Sequence, residues 1–308
     1  MTALLKVQTE VELNSMIPII SVIIPTFEDW PGVKSSLAAL AFQDIDASRY
    51  EIIIANNNRE KTLPENIGSA SNVRFIWEPK PGSYAARNTA IKVARGEFIF
   101  FTDSGCLPSK RWLSAGLARF LSEEGCERVA GRIAVSPEGT TWNGWNVYDH
   151  VTNLRQDEYV KRGHAVTANL AVRRSAFEHV GLFRDDRFSG GDFEWNRRAN
   201  KENIPIVFEE EMVVWHPARK SYLECAAKIR RIAGARFTEK CNQPVLKRIP
   251  RLKYLIPSIR KFRKIWREVP EAPARVRFLA MLYDYQMGWV YNAEIVRLGF
   301  FGKKPSRS

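Results

Sequence analysis

Apolar positions along this chain fall first into short continuous blocks and later into helical stripes. Ile19 to Ile24 is such a block, broken only by Ser21 and closed by Pro25; Glu51 to Ala55, Val73 to Trp77 and Glu97 to Phe101 are others. Blocks of this length predict strands covered on both faces, as in a parallel sheet. Between them lie stretches of helical period, Pro31 to Phe42 and Tyr84 to Arg95, the second with Ser83 as its N-cap and Gly96 placed for left-handed closure. Strand and helix alternating at short intervals predict a doubly wound α/β sheet, whose ligands bind beyond the carboxyl ends of the strands. Polar residues mark those ends: Thr26 to Asp29, the run Asn56, Asn57 and Asn58, and Asp103 to Gly105.

The second half is less regular. A helix is expected from Ser109 to Glu123, strands near Arg128 to Val135 and Ala165 to Val172, and a helix from Asp192 to Asn203 after Gly190 and Gly191. Short strands follow around Ile206 to Phe208 and Met212 to Trp215, whereas the Trp-rich stretch from Trp142 to Arg162 fits neither period. From Ser221 onward the pattern is helical.

Charge divides the chain in the same way. Its 308 residues carry a net +13, but Pro217 to Ser308 alone hold 22 Lys+Arg against 6 Asp+Glu, a net +16, leaving the rest at −3. One part is thus suited to chemistry and the other to an anionic surface. Between Lys247 and Arg267 there are nine basic residues and no acidic ones, with Leu252, Leu255, Ile256, Ile259, Phe262 and Trp266 at helical spacing and Pro257 interrupting. Such a segment suits the surface of anionic lipid, or it is a packed helix with a solvated basic face. A second apolar helix is expected from Arg275 to Leu298. The basic run carries no nucleic-acid-binding signature, so no nucleic acid is expected as partner. Cys106, Cys126, Cys225 and Cys241 have no CxxC spacing and read as reduced thiols. The N-terminus lacks the basic-then-apolar order of a signal peptide, and no apolar run is long enough to span a bilayer.

In chain order, SVIIPTF at Ser21 to Phe27, GSYAARNTAIKVARGEFIFFTDSGCLP at Gly82 to Pro108, TANLAVRRSAFEHVGLF at Thr167 to Phe183 and SGGDFEW at Ser189 to Trp195 resemble the inverting family-2 nucleotide-sugar glycosyltransferases of the GT-A type. The resemblance covers roughly residues 18 to 217. It implies a Rossmann-like mixed sheet with helices on both faces, an N-terminal extension at 1–17 and a basic helical region at 218–308. It also implies transfer of a sugar, by default from a UDP-sugar, to a hydroxyl of a saccharide or lipid-linked saccharide, in cell-surface polysaccharide synthesis at the inner face of the cytoplasmic membrane. No QxxRW motif is present, which points away from a processive synthase.

Such a reaction needs a nucleotide pocket, positive charge for the departing diphosphate and a base for the acceptor hydroxyl. The resemblance places Pro25, Thr26, Phe27 and Glu28 around the base and ribose, and puts Asn57 where the family has an aspartate that accepts from the nucleobase. Arg87 matches an arginine that lines the nucleotide site, although a helix-surface arginine can also be simply solvated. Asp103 stands where the DXD motif begins, but the motif reads Asp103-Ser104-Gly105, so a cation (Mn²⁺ or Mg²⁺) finds one carboxylate rather than two. His216 aligns with a histidine that reaches metal or diphosphate, or it is structural. Arg230 and Arg231 are the alternative diphosphate partners. Asp192 is the expected catalytic base, with Glu194 and Trp195 beside the acceptor or the donor sugar. The rival reading is a catalytically silent sugar-nucleotide or saccharide-binding protein of the same fold.

Overall fold

The computed structural model describes residues 18–300 apart from 66, 69, 138, 140, 240–249, 251–255 and 257. The expected extension at 1–17, together with Cys241, Leu252, Leu255 and Pro257, lies outside the described residues. The chain divides into two compact units: one holds the residues up to Ala134, Arg155–Asp186 and Gly191–His216, the other Val135–Leu154, Arg187–Gly190 and everything from Pro217.

The first unit is built on a mixed eight-stranded sheet of order β3-β2-β1-β4-β7-β6-β8-β5. Its strands are β1 (Ile20–Thr26), β2 (Tyr50–Asn56), β3 (Val73–Trp77), β4 (Phe98–Thr102), β5 (Leu107–Pro108), β6 (Arg128–Ser136), β7 (Asn169–Arg173) and β8 (Ile206–Pro217). Four of them, β3, β2, β1 and β4, run parallel, and β7 lies antiparallel to β4. Helices α1 (Trp30–Leu40), α2 (Ser83–Val93), α3 (Trp112–Ser122), α5 (Gln156–Val160), α6 (Arg174–Val180) and α7 (Gly191–Lys201) complete this unit, and α4 (Gly144–Thr152) belongs to the second.

The continuous apolar blocks are explained by packing on both faces. Val22, Ile24, Phe98 and Phe100 enter one core with Trp112, Phe120 and Met212, while Ile23, Ile53, Ile99 and Phe101 enter another with Ala86, Ala90, Leu170 and Trp195. Truncating a buried aromatic such as Trp112 is expected to cost about 3–5 kcal/mol. The polar residues inside these strands satisfy each other: Ser21 Oγ donates to the buried Glu51 carboxylate at 2.8 Å, which also pairs with Arg74 and Arg95.

Three local expectations are corrected. Ser83 is the first residue of α2 rather than its cap, for Gly82 occupies the N-cap and makes no side-chain bond. Gly96 does not close that helix; a Cβ there would lie 2.5 Å from the Ile20 carbonyl carbon and the Ser21 nitrogen, so the glycine serves close approach to β1. The two short strands after residue 205 are one strand, β8, in which the half-buried Glu209 and the exposed Glu210 and Glu211 break the apolar pattern without ending the strand.

The second unit is helical, with α8 (Tyr222–Glu239), α9 (Ile259–Glu268) and α10 (Ala274–Phe300) beside α4. Residues 135–154, which the sequence placed in the catalytic region, pack here, because their aromatic side chains have partners in the later helices. Trp145 stacks on Tyr283 with ring centroids 3.7 Å apart, and Val147, Tyr148 and Val151 join Ile265, Val269 and Ala280 in one core. Among the described residues, no helix is long and apolar enough to cross a membrane.

Candidate active site

The polar strand ends meet because β2, β1 and β4 are neighbours in the sheet. Beyond β1 the chain turns sharply: Thr26 is buried and donates to the Asp29 carbonyl, Glu28 takes φ 54°, and Asp29 caps α1 through Gly32 N–H. A glutamate at positive φ is strained, and here Glu28 N–H gains a 2.6 Å bond to Asn58 Oδ1. Phe27 is 49% exposed beside it.

Asn57 is almost fully used by the protein. Its Nδ2 donates to the Glu78 and Lys80 carbonyls, each at 2.8 Å, and its Oδ1 accepts from Gly82 N–H at 2.7 Å. That amide oxygen, expected to serve a nucleobase, accepts from Gly82 and so anchors the loop that leads into α2.

Arg87 on α2 is 2% exposed, which removes the reading as a solvated surface arginine. Its Nη2 is 2.5 Å from Asp103 Oδ1 at the end of β4. Its Nε and Nη1 are buried without a hydrogen-bond partner among the described residues, so a guanidinium with spare donors pairs with a carboxylate that is 38% exposed. Gly105, two residues on, takes φ 79°, a conformation that an aspartate adopts only with strain. Leu107 of β5 pairs with Trp215 of β8, which brings the half-buried His216 to the end of the loop that starts at Asp103. Among the described residues, no three His, Cys, Asp or Glu side chains gather into a metal cluster.

Asp192 lies in the first turn of α7 and is 8% exposed. Its Oδ1 accepts the Tyr84 hydroxyl at 3.1 Å and the Phe193 N–H at 2.9 Å, whereas Oδ2 has no partner among the described residues. Burial raises its pKa above the ordinary aspartate range, against the Phe193 N–H, the Arg87 charge and the Tyr84 hydroxyl, which pull it down. The Asp103 charge adds to the rise, so these four side chains form one electrostatic group.

Neighbours of Asp192 are less available than expected. Trp195 is fully buried in the core and donates its indole N–H to the Gly181 carbonyl at 2.7 Å, which corrects its placement beside a sugar. Glu194 is gripped by Arg198 in two bonds, 3.0 and 3.3 Å long. Arg230 and Arg231 lie on α8 in the second unit, Arg230 exposed. Tyr84 was quoted only as part of a motif, although its position three residues before Arg87 puts both on one helix face.

Comparison with known proteins bears on this geometry. The family described as "Glycosyl transferase family 2" matches residues 21–181, and the chain belongs to it. The "Glycosyltransferase AglE" of Haloferax volcanii is 33% identical over 214 residues, covering 67% of this chain and 69% of that protein. In fold, the mannosyltransferase PcManGT of Pyrobaculum calidifontis, solved with GDP-Man and Mn²⁺, gives a TM-score of 0.53 at 19% identity over 92% of this chain and 76% of its own. Residues 1–349 of TarS from S. aureus, solved with UDP-GlcNAc, give 0.50 at 16% identity over 92% of each chain. The protein is a family-2 glycosyltransferase with a GT-A-like sheet.

Proposed function

We propose that the protein transfers a sugar from a nucleoside-diphosphate donor, by default a UDP-sugar, to a hydroxyl of a saccharide or lipid-linked saccharide, with inversion. The observation that carries this reading is the half-satisfied carboxylate of Asp192 in one electrostatic group with Arg87 and Asp103. In the step proposed, the acceptor hydroxyl gives its proton to Asp192 Oδ2 and its oxygen bonds to the anomeric carbon. The bond from that carbon to the diphosphate breaks, and the leaving nucleotide keeps the electron pair. Attack from the side opposite the leaving group inverts the centre. A carboxyl group pushed upward by burial accepts a proton more readily than one in water.

Pro25, Thr26, Phe27, Glu28 and Asn57 shape the nucleotide end in this reading, and the spare Arg87 donors serve it. A divalent cation would be held by Asp103 and His216 only together with the donor's diphosphate oxygens, where it would offset the charge of the leaving group. The donors bound to PcManGT and TarS, GDP-Man and UDP-GlcNAc, define the first panel to try. Thermal shift against those and related nucleotide sugars tests the donor reading, since a ligand bound only by the folded state raises the melting temperature. A 1H NMR assignment of the product anomer tests inversion. No shift with any nucleotide sugar, or retention at the anomeric carbon, would overturn the proposal.

For location, the reading is a protein peripheral to an anionic membrane at the cytoplasmic face. On α9, Ile265 packs into the second unit's core, while Ile259 is 72% and Trp266 36% exposed among Arg260, Arg263 and Arg267. Basic residues near such a surface contribute roughly 1 kcal/mol each. Flotation with liposomes that contain or lack acidic lipid decides it; indifference to lipid charge contradicts the membrane reading.

A further inference from the structure

We infer that Tyr84 is the residue that orients the base: it pins Asp192 Oδ1 and leaves Oδ2 as the one oxygen able to take the acceptor proton. This rests on the reading of Asp192 as the base. A free carboxylate offers either oxygen in any rotation, whereas here the Tyr84 hydroxyl and the Phe193 N–H converge on the same atom. The proton-accepting position is therefore fixed before any substrate arrives.

Three features hold the phenol in place. Tyr84 is 5% exposed and its ring packs against Phe183 at a centroid distance of 5.7 Å. Gly191 leaves room for that ring, for a Cβ there would lie 2.7 Å from Tyr84 Cε2. The glycine before the base is thus needed so that the tyrosine can reach it. Arg87, three residues along the same helix, sits 5.7 Å from the Tyr84 ring centroid and pairs with Asp103. One face of α2 thereby connects the end of β4 with the base.

Toward the Asp192 carboxylate Tyr84 is the donor. Burial first, and then the Asp192 charge, push its phenol well above the ordinary tyrosine range, so it keeps its proton throughout the reaction. It is a positioning residue, and removing its hydroxyl takes away a bond that favours ionised Asp192.

The test is a pH titration of the Asp192 carboxyl carbon by 13C NMR in the full chain, with Asp192→Asn used to assign the resonance. Tyr84→Phe is expected to move the midpoint upward by roughly half a unit to one unit. Gly191→Ala, which displaces the ring, should move it in the same direction and decides the matter if Tyr84→Phe does not fold. An unmoved midpoint in the folded variants overturns the role of Tyr84. Nucleotide release from UDP-GlcNAc or GDP-Man, measured for the same proteins, separates this from the underlying reading: wild-type turnover by Asp192→Asn sinks the base assignment and this inference together. An inactive Asp192→Asn beside an unmoved midpoint sinks this inference alone.

Discussion

Each unit of the molecule buries an aspartate, and the two are held in opposite ways. Asp149 in the second unit is fully buried and saturated: Arg219 and Asn153 donate to it, and Lys228 Nζ is 3.6 Å away. Asp192 in the first unit is 8% exposed and, among the described residues, has no cation in direct contact and keeps one oxygen without a partner. A carboxylate surrounded by donors is bonded into the scaffold. One that is desolvated and half satisfied has the form that the proposed base role requires. Burial alone does not distinguish structural from chemical aspartates; the count of partners does.

The sharpest way to break this contrast is to neutralise each in turn. Asp192→Asn should lower turnover ~100- to 10,000-fold while nucleotide binding stays intact. Its effect on stability should be the reverse of a loss. The folded pKa of Asp192 is raised, so folding is favoured by its protonated form and weakens as pH rises through the unfolded and then the folded pKa. At neutral pH the amide variant should melt no lower than wild type, with the difference shrinking toward acid pH. Asp149→Asn should instead destabilise by about 3 kcal/mol in chemical denaturation, because Arg219 and Lys228 lose their buried partner. Equal losses from the two substitutions would erase the distinction.

Arg87→Ala comes next. It should weaken nucleotide-sugar binding by ~10- to 100-fold in calorimetry, since a buried guanidinium with unmet donors is removed. It should also raise the Asp192 midpoint, because the Arg87 charge holds it down. Metal binding sharpens the same region: Mn²⁺ followed by EPR should bind weakly to the protein alone and more tightly once UDP or GDP is present. Tight binding without nucleotide would contradict the incomplete cation site.

A further expected effect lies in the second unit. Burial, followed by the Arg219 charge, pushes the Lys228 ammonium down to about 7, against the pull of Asp149. The folded state then binds fewer protons than the unfolded one between about 7 and 10.5, so stability should rise with pH across the lower part of that window. Lys228→Met should flatten this dependence in thermal melts between pH 7 and 9.

Much of the first unit was legible because its signals are local. The blocks at Ile19 to Ile24 and Glu97 to Phe101 read as strands since both their faces are covered, and the polar residues after them mark the strand ends. What was not legible depended on partners distant in sequence. The Trp142 to Arg162 stretch has no clear period because Trp145 finds Tyr283, more than a hundred residues away. Trp195 resembled a site residue by its motif, but its indole closes a core whose other members come from several strands. The three asparagines at the end of β2 looked like a turn, and only the bonds of Asn57 with residues 78, 80 and 82 reveal a loop anchor. Tyr84 was hidden for a similar reason, its partner lying 108 positions along the chain.

The most direct test of the central claim is a crystal structure with an intact nucleotide sugar bound. The account predicts the diphosphate beside Arg87 and Asp103 on one face of the sugar, with Asp192 Oδ2 turned toward the anomeric carbon from the opposite face. A diphosphate on the same face as Asp192, or a sugar out of reach of that oxygen, would contradict it.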